Sequence, residues 1–230
     1  MGTERAALCF TDFPYNVKYQ ANGRQILNDN LGKDFPIFLE ISCRNILEVT
    51  DGAVYICMSS SELDTLKRGF EAAGGHWSTF VIWAKDHFTL GRSDYQRMYE
   101  PILYGWKEGA QHHWCGDRNQ GDVWCFPKPR VNDLHPTMKP VALIEKAISN
   151  SSLSDAIVLD PFAGSGSTLI ACQKTGRHAR LLELDPQYVD VIVRRWQDFT
   201  GREATLDGDG RSFQEIASTK IQEPTEALAA

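Results

Sequence analysis

The stretch Val158-Leu-Asp-Pro-Phe-Ala-Gly-Ser-Gly-Ser-Thr168 constrains the fold more than any other part of the chain. A short apolar run from about Ala156 ends at Val158-Leu159, and Asp160 closes it. Gly164-Ser165-Gly166 makes a tight turn, and Ser167 to Lys174 reads as a helix. Strand, glycine turn and helix in that order present backbone N–H groups to a ligand, because glycine lets the main chain approach closely. The turn lacks the third glycine of the dinucleotide fingerprint and the Gly-Lys-Ser/Thr ending of a phosphate loop. In the strand that follows, Ala179 to Asp185, Glu183 and Asp185 lie roughly 20 residues past the glycines, where a doubly wound fold sets an acid against a ribose.

Two further stretches stand apart from this one: Thr11-Asp-Phe-Pro-Tyr-Asn16 near the start, and His135-Pro-Thr-Met-Lys-Pro140 shortly before the glycine turn. Together the three resemble the DNA amino-methyltransferases, which carry methyl from S-adenosylmethionine to an exocyclic base nitrogen. The family pattern is Asp/Asn/Ser-Pro-Pro-Tyr/Phe at the catalytic turn and Phe-x-Gly-x-Gly at the cofactor turn. The cofactor turn matches as Phe162-Ala-Gly164-Ser-Gly166, whereas Phe13 stands where the first proline of the catalytic turn usually is. The catalytic turn precedes the cofactor turn, an order that resembles the permuted β class. The resemblance spans roughly residues 6 to 206.

The chain has 230 residues, 42% of them hydrophobic, enough for one α/β domain with a substantial core. No stretch approaches the roughly 20 apolar residues that span a bilayer, and Met1 to Ala6 is neither a signal peptide nor a myristoylation pattern. A cytoplasmic location is expected. The net charge of −6 argues against a non-specific polyanion binder but says nothing of a local basic surface. Six scattered cysteines read as reduced thiols. His112, His113, Cys115, Cys125 and His135 share a loop-rich region, but it holds no Cys-x2-Cys pair, and a partly buried polar loop is the better reading than a metal site.

In order, Ala6 to Thr11 reads as a buried strand that delivers Asp12, and residues 17 to 33 as a polar loop. Phe35 to Val49 reads as a helix stopped by Asp51-Gly52, and Ala53 to Met58 as a strand. Ser59-x-x-Glu62 would box the next helix, which Gly74-Gly75 ends; Trp77 to Lys85 is the strand after it. This βαβαβ rhythm predicts a parallel sheet, and the resemblance implies a Rossmann-like, mostly parallel, doubly wound one with an antiparallel strand at its edge. From about 86 to 135 the rhythm breaks. Glu100 to Trp106 reads as a strand, Gln111 to Trp114 as another, and Tyr95, Tyr99, Tyr104, Trp106, Trp114, Trp124 and Phe126 alternate with basic residues. Most of these rings would cover the sheet edge, and the rest would contact a duplex. Val141 to Ser149 and Gln187 to Phe199 read as helices, Arg202 to Leu206 as a last strand, and residues 207–230 as a loosely docked tail.

The resemblance implies one catalytic domain over residues 1–206, with a target-recognition insertion at about 86–135. It implies S-adenosylmethionine as cofactor, double-stranded DNA as partner and, as is common in the family, a homodimer. Asp12 and the carbonyl of Phe13, in the turn completed by Pro14, would accept the protons of an exocyclic amine while Tyr15 stacks on a flipped base. The turn Phe162, Ala163, Gly164, Ser165, Gly166 would wrap the cofactor, Glu183 (or Asp185) would take its ribose hydroxyls, and Asp160 and Thr168 would assist. Thr137 and Lys139 would meet its methionine carboxylate. Aspartate in the turn leans toward adenine N6. Cytosine N4, a protein amide, or a module that binds without transferring methyl stay open, the last because of Phe13.

Overall fold

β1 (Ala6–Asp12) is apolar without alternation because both of its faces are covered. Leu8 and Phe10 point into one core and Ala6 and Cys9 into another on the opposite side of the sheet. The computed structural model describes residues 1–17, 20–21, 24–25, 29–88, 90, 94–129 and 138–222. Beyond β1 lies a small hairpin, β2 (Gln20–Ala21) with β3 (Arg24–Gln25), inside the predicted loop. Then come α1 (Phe35–Val49), β4 (Thr50–Cys57), α2 (Leu63–Ala72), β5 (Gly75–Ala84), β6 (Tyr99–Lys107) and β7 (Val123–Cys125). The glycine-turn half follows as α3 (Val141–Ser151), β8 (Ile157–Asp160), α4 (Ser167–Thr175), β9 (His178–Leu181), α5 (Pro186–Thr200) and α6 (Phe213–Gln222).

The seven-stranded sheet has the order β7-β5-β6-β4-β1-β8-β9. Buried residues of α1 and α2 (Leu39, Ile46, Leu66, Phe70) cover one face, and those of α3 and α4 (Leu143, Ile144, Ala147, Ala171) the other. The doubly wound arrangement thus follows from helix stripes that each need a sheet face. One expectation needs correcting. The antiparallel strand is β6, and it lies inside the sheet between β5 and β4, while both edge strands run parallel to their neighbours. The described residues between β5 and β6 form no crossover helix, so β6 can only turn back beside β5.

Local differences have local causes. Asp51-Gly52 does not stop α1; Thr50 is already extended, and both residues belong to β4. Ser59 and Glu62 make no capping box, since the Ser59 hydroxyl meets Ser61 instead, at 2.8 Å. Residues 111–114 form no strand, whereas Val123–Cys125 pair with β5. β9 ends at Leu181, before the acids, and the last predicted strand reduces to one bridge, Thr205 to Ser212.

Residues 212–222 are not a loose tail. Ser212 opens α6 with a capping box: the Glu215 amide donates to Ser212 Oγ at 3.2 Å, and the Ser212 amide to Glu215 Oε2 at 2.7 Å. The Arg194 guanidinium of α5 lies 5.6 Å from the Phe213 ring centre. The predicted tail beyond residue 222 falls outside the described residues.

Gly52 fixes the start of the sheet. The β1–β4 register slips between Ala6 and Leu8, so Asp51 and Gly52 face Ala7 as a bulge. A Cβ on Gly52 would stand 2.0 Å from the Ala7 carbonyl oxygen. Gly52→Ala is therefore expected to lower unfolding free energy by about 2–3 kcal/mol, read by urea denaturation; an unchanged midpoint would contradict this packing.

Candidate active site

β1 and β8 are parallel neighbours, with Leu8 opposite Val158 and Cys9 opposite Leu159. Their carboxyl ends, Asp12 and Asp160, therefore emerge at the same edge. The chain leaves β1 toward β4 on one side and leaves β8 toward β9 on the other, so a crevice opens between them. A cavity of about 180 Å³ fills it. Its lining contains Asp12, Phe13, Pro14, Tyr15, Lys139, Asp160, Phe162, Ala163, Gly164, Ser165, Thr168 and Glu183. Gly166 and Asp185 stand behind this lining, and Thr137, like His135, lies outside the described residues.

The glycine turn is built around two carboxylates. Asp160 accepts from Thr11 Oγ1 at 2.9 Å, from Thr168 Oγ1 at 2.6 Å and from the Phe162 amide at 3.2 Å. Burial pushes its carboxyl up to about 6, against the pull of those three donors. Glu183 accepts the Gly164 amide at 2.7 Å on one oxygen and the Asp185 amide at 2.9 Å on the other. A carboxylate offers about four lone-pair positions, so Glu183 keeps acceptors for a diol. Asp185 instead caps α5, accepting the Gln187 amide at 2.9 Å, which separates the two acids that spacing alone left equivalent.

Gly164 and Gly166 adopt φ of 53° and 77°, and a Cβ on Gly166 would press to 3.0 Å from Ile192 of α5. A cation that the sequence did not single out braces the turn. Arg195 Nη1 reaches the Ser165 carbonyl at 3.0 Å, and Ser165 Oγ and Ser167 Oγ at 3.1 Å each.

In the catalytic turn, Asp12 Oδ1 accepts the Tyr15 hydroxyl at 2.8 Å and Oδ2 the Lys139 ammonium at 2.5 Å. Lys139 was expected on the cofactor's carboxylate. Its ammonium lies instead on Asp12 and, at 3.1 Å, on Glu100 of β6. Burial raises the Asp12 carboxyl and Glu100 adds to this, while Lys139 opposes both. Asn16 closes the turn at φ 57°, its side-chain oxygen taking the Leu31 and Gly32 amides at 2.9 and 3.0 Å.

Phe13 does not crowd the cavity as its bulk suggests. Only 2% exposed, its ring packs edge-on against Phe162 at 4.9 Å and Phe38 at 6.2 Å. The residue that stands where the family pattern has proline thus ties its turn to the first residue of the glycine turn. Of the middle-region aromatics, Tyr104 and Trp124 are core residues, with Trp106 and Phe126 packed against them. Tyr95, Tyr99 and Trp114 are exposed, and His112 stacks on Trp106 at 3.6 Å.

Residues 6–194 match the family model described as DNA methylase, N6_N4_Mtase. The chain belongs to this family. It is 27% identical over 226 residues to the DNA adenine methyltransferase YhdJ of Escherichia coli (strain K12), covering 84% of this chain and 76% of that protein. It is 33% identical over 230 residues to the Type II methyltransferase M.HinfI of Haemophilus influenzae, covering 85% of this chain and 64% of that one. Among solved structures, the M1.HpyAVI–SAM complex superposes with a TM-score of 0.67 at 22% identity, over 84% of this chain and 90% of that chain. PvuII DNA methyltransferase (cytosine-N4-specific) gives 0.68 at 15% identity, over 94% and 86%. At such identities these superpositions establish the methyltransferase fold.

Two expectations follow for this DNA methylase. Phe13→Ala removes a buried ring and should cost about 3–5 kcal/mol in urea denaturation, with Phe13→Pro costing a comparable amount; a loss below about 1 kcal/mol would place the ring outside the core. Asp160 should titrate near pH 6 by carboxyl ¹³C NMR, and Thr168→Val should move it higher by removing a donor to the charged form. Because the folded value lies above the ordinary 3.8, this group favours the fold at pH below about 4 and loses that contribution as pH rises through 6.

Proposed function

We propose that the chain transfers methyl from S-adenosylmethionine to the exocyclic N6 of a flipped adenine in double-stranded DNA. The single observation that carries this reading is the meeting of the two turns in one cavity, with a buried carboxylate, Asp12, beside a glycine turn that keeps Glu183 available. Family membership and the adenine-methylating relative support it. The motif order, catalytic turn first, favours the permuted β class.

The residues present fit the cofactor. Gly164 and Gly166 leave the turn without side chains, Glu183 retains lone pairs for two ribose hydroxyls, and Phe162, Leu184 and Tyr188 offer apolar walls. When bound, S-adenosylmethionine supplies an electrophilic sulfonium methyl.

The chain's own groups then prepare the nitrogen. An exocyclic amine is a poor nucleophile because its lone pair is delocalised into the ring. Asp12 and the Phe13 carbonyl accept its two N–H bonds and so favour the tetrahedral geometry in which the lone pair is localised. Lys139 keeps Asp12 anionic despite burial, and Asp12 takes the proton that leaves the nitrogen. Tyr15 holds its hydroxyl on Asp12 in the free protein and offers its ring to the extruded base once that base has replaced the contact. The exposed Tyr95, Tyr99 and Trp114 belong to the proposed recognition region, whose loops flank the sheet strands β6 and β7. The catalytic domain is read as residues 1–206.

Labelled methyl transfer to unmethylated genomic DNA, digested to nucleosides, tests this. Label is expected in N6-methyladenine, with Asp12→Ala reducing it at least about 100-fold. Label in N4-methylcytosine would move the target to cytosine, and no label would overturn transfer to DNA.

A further inference from the structure

We infer that Glu100, backed by Lys85, is a positioning residue for methyl transfer: it shares the Lys139 ammonium with Asp12 and so sets where that ammonium sits and how strongly Asp12 accepts. The inference rests on the proposed reaction but adds residues from outside both turns and from another strand.

The geometry begins with the sheet. Parallel strands deliver their last residues to the ligand edge, as β1 delivers Asp12 and β4 delivers Cys57 opposite it. β6 runs the other way, so it delivers its first residues there: Ile102 pairs with Cys57, and Glu100 lies two residues beyond, at the level of the catalytic turn. Its Oε2 stands 3.1 Å from Lys139 Nζ and 3.1 Å from the Tyr15 hydroxyl, while Oε1 pairs with Lys85, the residue that follows β5.

Two carboxylates and two ammoniums make a neutral group in which Lys139 is 6% and Lys85 11% exposed. Tyr15 from the turn, Cys57 from β4 and Asp160 from β8 are the other titratable groups facing it. Burial opposes the charge on Glu100, yet Lys139 and Lys85 together draw it down to about 2. Burial likewise opposes the charge on Lys139, which Asp12 and Glu100 hold well above the ordinary lysine value.

A single ammonium between two carboxylates is divided between them. If Glu100 were neutral, Lys139 would settle wholly on Asp12, stabilising its charge and weakening it as an acceptor for the amine protons. Glu100 thus draws part of the lysine's charge away from Asp12 and leaves that carboxylate the stronger acceptor, and Lys85 keeps Glu100 from being an uncompensated buried charge. Glu100 touches neither base nor cofactor in this scheme, so its effect belongs on turnover rather than on binding.

The test is Glu100→Gln, read by NMR of the Asp12 carboxyl carbon and the Lys139 ammonium nitrogen in the free protein, and by steady-state transfer. The Asp12 midpoint should fall, because a repelling charge is gone, and the Lys139 ammonium nitrogen resonance should shift as its second carboxylate partner is removed. Turnover should drop at least about tenfold with both KM values within about twofold, and the acidic limb of its pH profile should move to lower pH. The charge-balanced Lys85→Met/Glu100→Gln variant should show the same Asp12 shift, and it carries the test if the single variant does not fold. An unchanged Asp12 titration with an unchanged Lys139 resonance in a folded variant, or unchanged turnover, would overturn the inference. No transfer from the natural chain, together with a shifted Asp12 titration, would remove the DNA reaction and leave the coupling between Glu100 and Asp12 standing.

Discussion

The carboxylate of Asp160 joins the end of β1 to the start of α4. It takes a hydroxyl from Thr11 and another from Thr168, across sequence separations of 149 and 8 residues. Thr11 is the residue before Asp12, the proposed catalytic aspartate, and Thr168 stands in the first turn of the helix that follows the glycines. The hydrogen bonds therefore hold the ends of β1 and β8 in one register, and with them the two turns. Buried to 4% exposure, this carboxylate would be costly without its three donors. Phe13 and Phe162 close the same link with an apolar contact, ring on ring.

On one side of that link the cavity is shaped by backbone, on the other by charge. The glycine turn offers amides and one carboxylate, Glu183, already held by two amide donors, so it meets a ligand in a fixed orientation. The catalytic turn lies against a neutral cluster of two acids and two lysines. Such clusters contribute little to stability, because desolvation offsets the attraction between the charges. What the cluster does provide is a lysine that favours the charged form of Asp12 against burial, and in the proposed reaction that form is the acceptor for a developing charge.

Much of this was legible in the sequence, and for physical reasons. An unbroken apolar run with polar ends reads as a strand covered on both faces, and β1, β4 and β8 behave so. Phe-x-Gly-x-Gly reads as a turn because glycine takes φ near 53° and 77° without the cost a side chain adds there. Asp185 and Glu183 could not be separated by spacing, since the difference lies in which carboxylate caps α5. Glu100 carried no signal at all: it stands 88 residues from Asp12 in sequence, and only the reversal of β6 brings it there. That reversal was hidden because periodicity reports burial and not direction. The packing of the Phe13 ring against Phe162 was equally hidden, because a sequence does not say which way a side chain turns. The capping box at Ser212 and Glu215 was present to be read, but a composition rich in Gly, Asp and Thr outweighed it.

The central claim is that the two turns form one site, with the cofactor against Glu183 and its sulfur facing Asp12. A crystal structure of the chain with saturating S-adenosylhomocysteine tests it most directly. The account predicts density in the crevice between β1 and β8, both ribose hydroxyls on Glu183 and the sulfur directed at the catalytic turn. A ligand bound elsewhere, or in this crevice with its ribose away from Glu183, would contradict it.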